Sequence, residues 1–301
     1  MMRRMKYGVS LSIKACRQFD IDLFEVQKAA IDIGFRRFRL MSYWNEIENT
    51  KDVYKWHELD EQIKLAAENG CEISLCLGLR QPRWPECHVP VWAKKLPKPE
   101  RNKALLAYIK SVVQRYKRDK SIVSWQLENE ALNRGFGDCP DYDRARLRRE
   151  FNLVKKLDPG RPAVMSASNS FGLPMRQPLP DVVGFSQYFH QAKSNGISYR
   201  RLPRRFIKTR KLIIEKIMRR PVFCHELQME PWGLSGIEHM SKAAKDHLMN
   251  PLVAARHIAF ARQIGFKTID LWGLEWWYFE KLHNNPKMWQ FIAGLEKIYK
   301  L

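Results

Sequence analysis

The sequence predicts a (β/α)₈ barrel, a TIM barrel in a single domain spanning residues 1–301. Three observations carry this. Strand-like and helix-like segments alternate along the whole chain. Eight such units in 301 residues is about 37 residues each, the arithmetic of that barrel. The strand segments are β-branched and apolar, as strands buried on both faces of a parallel sheet must be. A doubly wound open sheet also alternates, but no G-x-G-x-x-G or Walker A phosphate turn is present.

The elements follow in order. "KYGVSLSI" (6–13) is the first strand. Leu23, Val26, Ala30 and Ile33 then fall at helical spacing, with Asp22 as N-cap, Glu25 three residues on and Gly34 as the stop. "FRRFRLMSYW" (35–44) is the second strand, and Leu59, Ile63 and Ala66 mark the helix that ends at Asn69-Gly70. "CEISLCLGL" (71–79) precedes a helix through Leu105, Ile109, Val112 and Tyr116. "SIVSWQLENE" (121–130) is strand four, followed by a helix around Leu147, Phe151 and Val154 that stops at "DPG". "PAVMSAS" (162–168) and "DVVGFSQY" (181–188) are strands five and six, with little room for a full helix between them. A basic helix near 206–218 leads to strand seven, "RPVFCHE" (220–226). Asn250 and Pro251 open a helix that runs to Gly265. "TIDLWGL" (268–274) is strand eight, and one last helix completes the chain.

Composition narrows the class. Apolar residues make up 45% of the chain, enough for a large core. No window approaches the ~18 uninterrupted apolar residues of a membrane span, and the N-terminal apolar run, broken by Lys14, does not read as a signal peptide. The expectation is therefore a cytoplasmic protein. Six cysteines at 16, 71, 76, 87, 139 and 224 include no C-x-x-C pair and no zinc-finger spacing, so reduced, mostly buried thiols and no metal are expected. The net charge of +21 raises a nucleic-acid or anionic-surface partner. Ten Lys or Arg lie in 199–220, the densest basic stretch. It is read as a solvated helix face with at most weak anionic-surface contact, because no nucleic-acid-binding signature accompanies it.

In a (β/α)₈ barrel the C-terminal strand ends form the functional face. Reading only those ends gives Arg39, Tyr43 and Trp44 after strand two, and "GLRQPRWPECHVPVW" with Arg80, Trp84 and His88 after strand three. Asn129 and Glu130 follow strand four, Tyr188 strand six, "HELQMEPW" strand seven and "LWGLEWWY" strand eight. Carboxylates, amides and tryptophans together suit carbohydrate: indole stacks on the apolar face of a sugar, and polar groups bind its hydroxyls. Breaking a glycosidic bond takes two carboxyl groups, one to protonate the leaving oxygen and one to attack or to activate water. Glu130 and Glu226 end strands four and seven and are the candidate pair. Strict alternation puts Glu128 and Glu130 on one face and Asn129 on the other. For Asn129 and Glu130 both to face a pocket the strand end must be irregular, which leaves Glu128 as a spare carboxylate.

Asn-Glu at the end of strand four, Glu at strand seven and Trp at strand eight resemble the clan A glycoside hydrolases, family 5-like and its neighbours. The "QPRWPECHVPVW" loop and "ELQMEPWG" look like a cellulase-like subgroup. The resemblance covers essentially the whole chain and implies a retaining glycoside hydrolase for β-glycosides, needing no cofactor or metal. It assigns Glu130 as general acid then base, Glu226 as nucleophile and Asn129 to the sugar 2-hydroxyl. Tyr188 would donate to Glu226, Arg39 would keep Glu226 ionised and Trp272 would floor the sugar site, while Trp84 and His88 are candidate substrate contacts. Glu230 competes with Glu226 from a loop position. Two other classes stay open: a catalytically silent barrel that binds glycans, and a basic surface or nucleic-acid binder.

Overall fold

The computed structural model describes residues 5–131, 133, 137–139, 142–167, 173–193, 196–199, 202–233 and 236–298. Eight strands close into a barrel in sequential order: β1 (Lys6–Leu11), β2 (Arg37–Met41), β3 (Glu72–Leu77), β4 (Ile122–Leu127), β5 (Ala163–Ser166), β6 (Val182–Gln187), β7 (Val222–Gln228) and β8 (Thr268–Trp272). The expected (β/α)₈ architecture is therefore present. The strands are shorter than the apolar runs suggested, because flanking residues such as Tyr43 and Trp44 leave the ladder to start a short helix, Trp44–Ile47. By internal contact the chain divides into two compact units, residues 36–183 and residues 1–35 with 184–301.

In unit 36–183, β2 to β5 pair in parallel, with Leu40 beside Leu75 and Leu75 beside Trp125. Helices α2 (His57–Glu68), α3 (Lys98–Tyr116) and α4 (Arg144–Leu157) alternate with these strands. Helix α3 presents Leu105, Ile109, Val112 and Tyr116 as buried residues at the predicted spacing. Trp44 and Trp125 are fully buried side chains. Each removes about 200 Å² from water, or about 5 kcal/mol at 25 cal/mol per Å².

In unit 1–35 with 184–301, β1 pairs with β8 and β8 with β7. Helix α1 (Leu23–Asp32) is capped by the Asp22 carboxylate, which accepts from the backbone N–H groups of Phe24 and Glu25. Helix α5 (Arg204–Leu212) runs into a π-helical turn, Ile213–Ile217, where one long basic helix was expected. Helix α6 (Pro251–Ile264) begins under the Asn250 cap and ends at Gly265 in the left-handed region, φ 89°. The expected last helix is two, α7 (Leu274–Leu282) and α8 (Lys287–Ile298). A hairpin, His190–Lys193 with Gly196–Tyr199, follows β6 and had no clear sequence signal.

The solvated-face reading of 199–220 needs correction at two positions, while Arg204, Arg205, Lys208, Lys216 and Arg219 are exposed. Arg210 and Lys211 are buried. Arg210 lies over the Phe185 ring at 4.8 Å and the Phe206 ring at 5.7 Å, and Lys211 pairs with Glu215 at 2.7 Å. A basic helix still needs an inner face, and here the long arginine stem supplies it. Residues 200 and 201 lie outside those described. Among the described residues no helix is long and apolar enough to cross a membrane.

Candidate active site

In unit 36–183 the site begins where β4 stops. Glu128 and Glu130 have φ of 52° and 44°, a left-handed conformation uncommon for non-glycine residues and worth about 1–3 kcal/mol of strain each. The two turns flank Asn129 and break the alternation of the strand, the irregularity the sequence required. Glu128 accepts from the N–H groups of Leu79 at 3.0 Å and Arg80 at 2.6 Å, and the Arg146 guanidinium lies 3.6 Å from it. Arg146 also pairs with Glu150 at 2.8 Å. Burial first, and the Glu128 charge second, push the Glu150 carboxyl well above the usual carboxylate range. A Cβ at Gly78 would come within 2.5 Å of Glu128 Oε1, and Gly78 itself has φ 105°, so only glycine fits beside this anchor. Glu128 therefore fastens the β3 loop.

Asn129 sits in a buried polar chain. Its Oδ1 accepts from Arg39 Nη2 at 2.9 Å, and its Nδ2 donates to Glu86 Oε2 at 2.9 Å. Arg39 Nε donates to Gln126 Oε1 at 2.6 Å. A guanidinium can only donate and a carboxylate mainly accepts, so these neighbours fix which way the amide points. The resemblance gives Arg39 to Glu226; within its own unit Arg39 serves Gln126 and Asn129. Glu86, 2% exposed, was missed in the sequence. It lies in the loop after β3 between Pro85 and Cys87, and its signal was a carboxylate inside a loop already suspected of function.

Glu130 is held by its backbone N–H donating to Ser166 Oγ at 2.7 Å, and by Asn133 Nδ2 donating to its Oε2 at 2.6 Å. It forms part of the wall of a cavity of about 460 Å³, together with residues of β5 and the segment before β6.

The loop after β3 divides its two candidates. Trp84 is 69% exposed, a free indole face. His88 is buried: its Nε2 lies 3.2 Å from the carbonyls of both Gln81 and Arg83, and its ring meets Tyr43 edge-on at 4.4 Å between centroids. These contacts make His88 a pin for its own loop. The expectation of six reduced thiols also needs correction. Cys87 and Cys139 form a disulfide across 52 positions, with Cα atoms 5.1 Å apart. It ties the loop after β3 to the segment after β4, beside the Asp138 N–H that donates to the Pro85 carbonyl at 3.1 Å. The other four cysteines are buried and lie outside any disulfide.

In unit 1–35 with 184–301, Glu226 lies within β7, which continues to Gln228, two residues beyond the expected end. Glu226 is buried, and the Tyr188 hydroxyl donates to its Oε2 at 2.6 Å. Tyr188 stacks on Trp232 at 4.5 Å. Glu230 accepts from the indole N–H groups of Trp272 at 2.6 Å and Trp232 at 3.0 Å. Glu230 thus orients the aromatic pair. Glu275 accepts from the Ser12 backbone N–H at 2.6 Å, joining α7 to the end of β1. His190, absent from the sequence candidates, has its pKa lowered to about 4, by burial first and then by His247. Its Nε2 accepts from the Trp232 backbone N–H at 3.3 Å, a role only the neutral ring can fill.

Residues 41–148 match the model of glycosyl hydrolase family 10. No curated protein matches the chain by sequence. Among solved structures, the GH5_18 protein of Streptomyces cattleya, in complex with GlcNAc, is similar with a TM-score of 0.63 and 12% identity, over 90% of this chain and 70% of that one. Xylanase 10B of Thermotoga petrophila RKU-1, in complex with xylobiose, gives 0.61 and 16%, over 90% of this chain and 82% of that one. The exo-beta-1,4-mannosidase Op5Man5 of Opitutaceae bacterium strain TAV5 gives 0.63 and 17%; this chain is covered to 89% and spans 51% of the mannosidase. Identities this low speak to fold. The chain carries a (β/α)₈ barrel, the fold of these glycoside hydrolases, and the family 10 model matches about a third of it.

Proposed function

We propose that the protein is a retaining glycoside hydrolase acting on a β-glycosidic bond, with chain 1–301 as one catalytic domain. The observation that carries this reading is the 2.6 Å hydrogen bond from Tyr188 to Glu226. A phenol donating to a buried carboxylate favours the ionised form, which a nucleophile needs. Glu226 attacks the anomeric carbon as the bond to the leaving oxygen breaks, and Glu130 gives that oxygen its proton. Water then enters, passing one proton to Glu130 and its oxygen to the anomeric carbon, and the ester to Glu226 is released. The cavity against Glu130 supports the acid assignment, since a leaving group must have room beside its proton donor.

Asn129, held between Arg39 and Glu86, presents its remaining N–H to the sugar 2-hydroxyl. Trp272, aimed by Glu230, floors the sugar, and Trp84 offers a second stacking face. The GlcNAc and xylobiose bound by the similar structures support a carbohydrate substrate. The Cys87–Cys139 disulfide favours an oxidising compartment over the cytoplasmic expectation. A panel of 4-nitrophenyl β-glycosides, followed by NMR of the first-formed anomer, tests the reading. Hydrolysis with β product first supports it, and α product first means inversion. Binding of sugars by a folded protein that hydrolyses no β-glycoside puts the silent barrel in its place.

A further inference from the structure

The cavity beside Glu130 has a wall unlike a sugar site. Met165, Leu173, Pro174, Met175, Pro178 and Val183 supply much of it. Such side chains offer no partner to the hydroxyls that ring a pyranose, and an unsatisfied hydroxyl costs about 1–3 kcal/mol. Among the described lining residues none is aromatic, so no indole or phenol from them stacks on a sugar face. Asn133 and Ser166 also line it, but both are bonded to Glu130, and two guanidiniums, Arg144 and Arg176, supply its cationic part. Arg144 is steadied by donating from Nη1 to the Gln177 carbonyl at 3.3 Å. The volume of about 460 Å³ lies within the roughly 300–1,000 Å³ of small-molecule sites.

We infer that this cavity is the leaving-group site, and that it takes a non-sugar leaving group with an apolar body and an anionic substituent. The inference rests on Glu130 being the general acid. An acid must lie ~2.6–3.2 Å from the oxygen it protonates, so whatever that oxygen carries starts at Glu130 and extends into the adjoining space. Aliphatic, proline and thioether surfaces cover the apolar body. Arg144 and Arg176 take a carboxylate, sulfate or phosphate through charge-assisted hydrogen bonds. The net charge of +21 then draws such substrates in from solution.

Fluorescence titration with 6-hydroxy-2-naphthoate, a candidate leaving group, tests this without any turnover. Neutral 2-naphthol is the control, and glucuronate and cellobiose are competitors. The naphthoate binds at one site per chain, at least fivefold tighter than naphthol. Replacing Arg144 and Arg176 together by Gln removes that preference and leaves naphthol unchanged. Ala167→Trp, filling the cavity, weakens both probes at least tenfold. Met175→Asp, at a position 74% exposed where folding is not at stake, weakens the naphthoate more than naphthol, since it adds repulsion to the lost apolar contact. The inference is overturned if naphthoate binding does not saturate, if Met175→Asp leaves it unchanged, or if glucuronate or cellobiose displaces it at lower concentration than naphthol. Hydrolysis of sugar-linked β-glycosides without a naphthoate site defeats this inference only. A naphthoate site in a protein that cleaves no glycoside defeats the hydrolase reading, and with it the leaving-group role, and leaves only an anion-binding apolar cavity.

Discussion

Asn129 donates its side-chain amide to the Glu86 carboxylate at 2.9 Å. The amide oxygen is already taken by Arg39, so the carboxylate decides whether the group is locked or free to turn over. Removing a charge-assisted hydrogen bond costs about 1.5–3 kcal/mol. Glu86→Ala is therefore expected to lower kcat/KM about 10- to 100-fold on a substrate with a 2-hydroxyl, and far less on its 2-deoxy analogue. Glu86→Gln, which still offers an acceptor, recovers most of the loss. Equal losses on both substrates would mean that Glu86 supports the loop and not the amide.

The same loop is tied by Cys87–Cys139, which closes 52 positions of chain. A link of that length stabilises by about 2–4 kcal/mol, chiefly by restricting the unfolded chain. Cys139→Ser is expected to lower the unfolding free energy by that amount in a urea titration. Thiol titration of the unreduced, denatured wild type should find four thiols, matching the cysteines outside the disulfide. Six would show that the bond does not form.

The Glu128–Arg146–Glu150 cluster makes a pH prediction. Glu150 is raised in the folded state. Its contribution is complete below the ordinary carboxylate pKa and is lost as pH rises through the raised value. Stability measured by urea unfolding should therefore fall as pH climbs above the ordinary carboxylate range. In Glu128→Gln, which removes the second cause of the shift, the fall should be shallower. Glu128→Ala should destabilise by about 3–5 kcal/mol, since it strips a buried anion from two N–H groups and a guanidinium. A flat profile in wild type would contradict the Glu150 shift.

Much of this was legible in residue order. Alternation gave the eight strands, and the strand-end rule picked out Asn129, Glu130, Tyr188 and Trp272 because periodicity and termini are local properties. It also required a break after Leu127, which two left-handed glutamates supply. Glu86 and the disulfide were not legible, because they depend on how the loops after β3 and β4 fold onto each other. Arg210 was misread since composition cannot say which cations of a basic helix turn inward.

Arg210 separates that inward face from the outer one. Burial holds its pKa below the usual arginine value, and two phenyl rings take the guanidinium. Arg210→Ala is expected to cost about 1–3 kcal/mol of stability through lost cation–π contact and packing. Arg205→Gln, at an exposed site, should change stability by less than about 0.5 kcal/mol. Comparable effects of the two substitutions in thermal unfolding would restore the solvated-face reading.

The decisive prediction separates the carboxylates. Glu226→Ala leaves no group to form the glycosyl ester, and kcat should fall on the order of 10⁴- to 10⁶-fold. Glu130→Ala removes acid and base, worth about 10²–10⁴-fold, but selectively. Substrates with poor leaving groups need the proton and lose most. Activated aryl glycosides still form the ester, which accumulates because no base activates water. Azide needs no base, so it should rescue Glu130→Ala on those substrates and yield the β-glycosyl azide. With Glu226→Ala, azide enters from the vacated side and yields the α-anomer. Glu230→Ala should keep the chemistry and raise KM, since Trp272 loses its orienting partner. A dead Glu230→Ala beside an active, folded Glu226→Ala would move the nucleophile to Glu230. Unchanged turnover in folded Glu130→Ala and Glu226→Ala, on a substrate the wild type cleaves, would defeat the two-carboxylate mechanism itself.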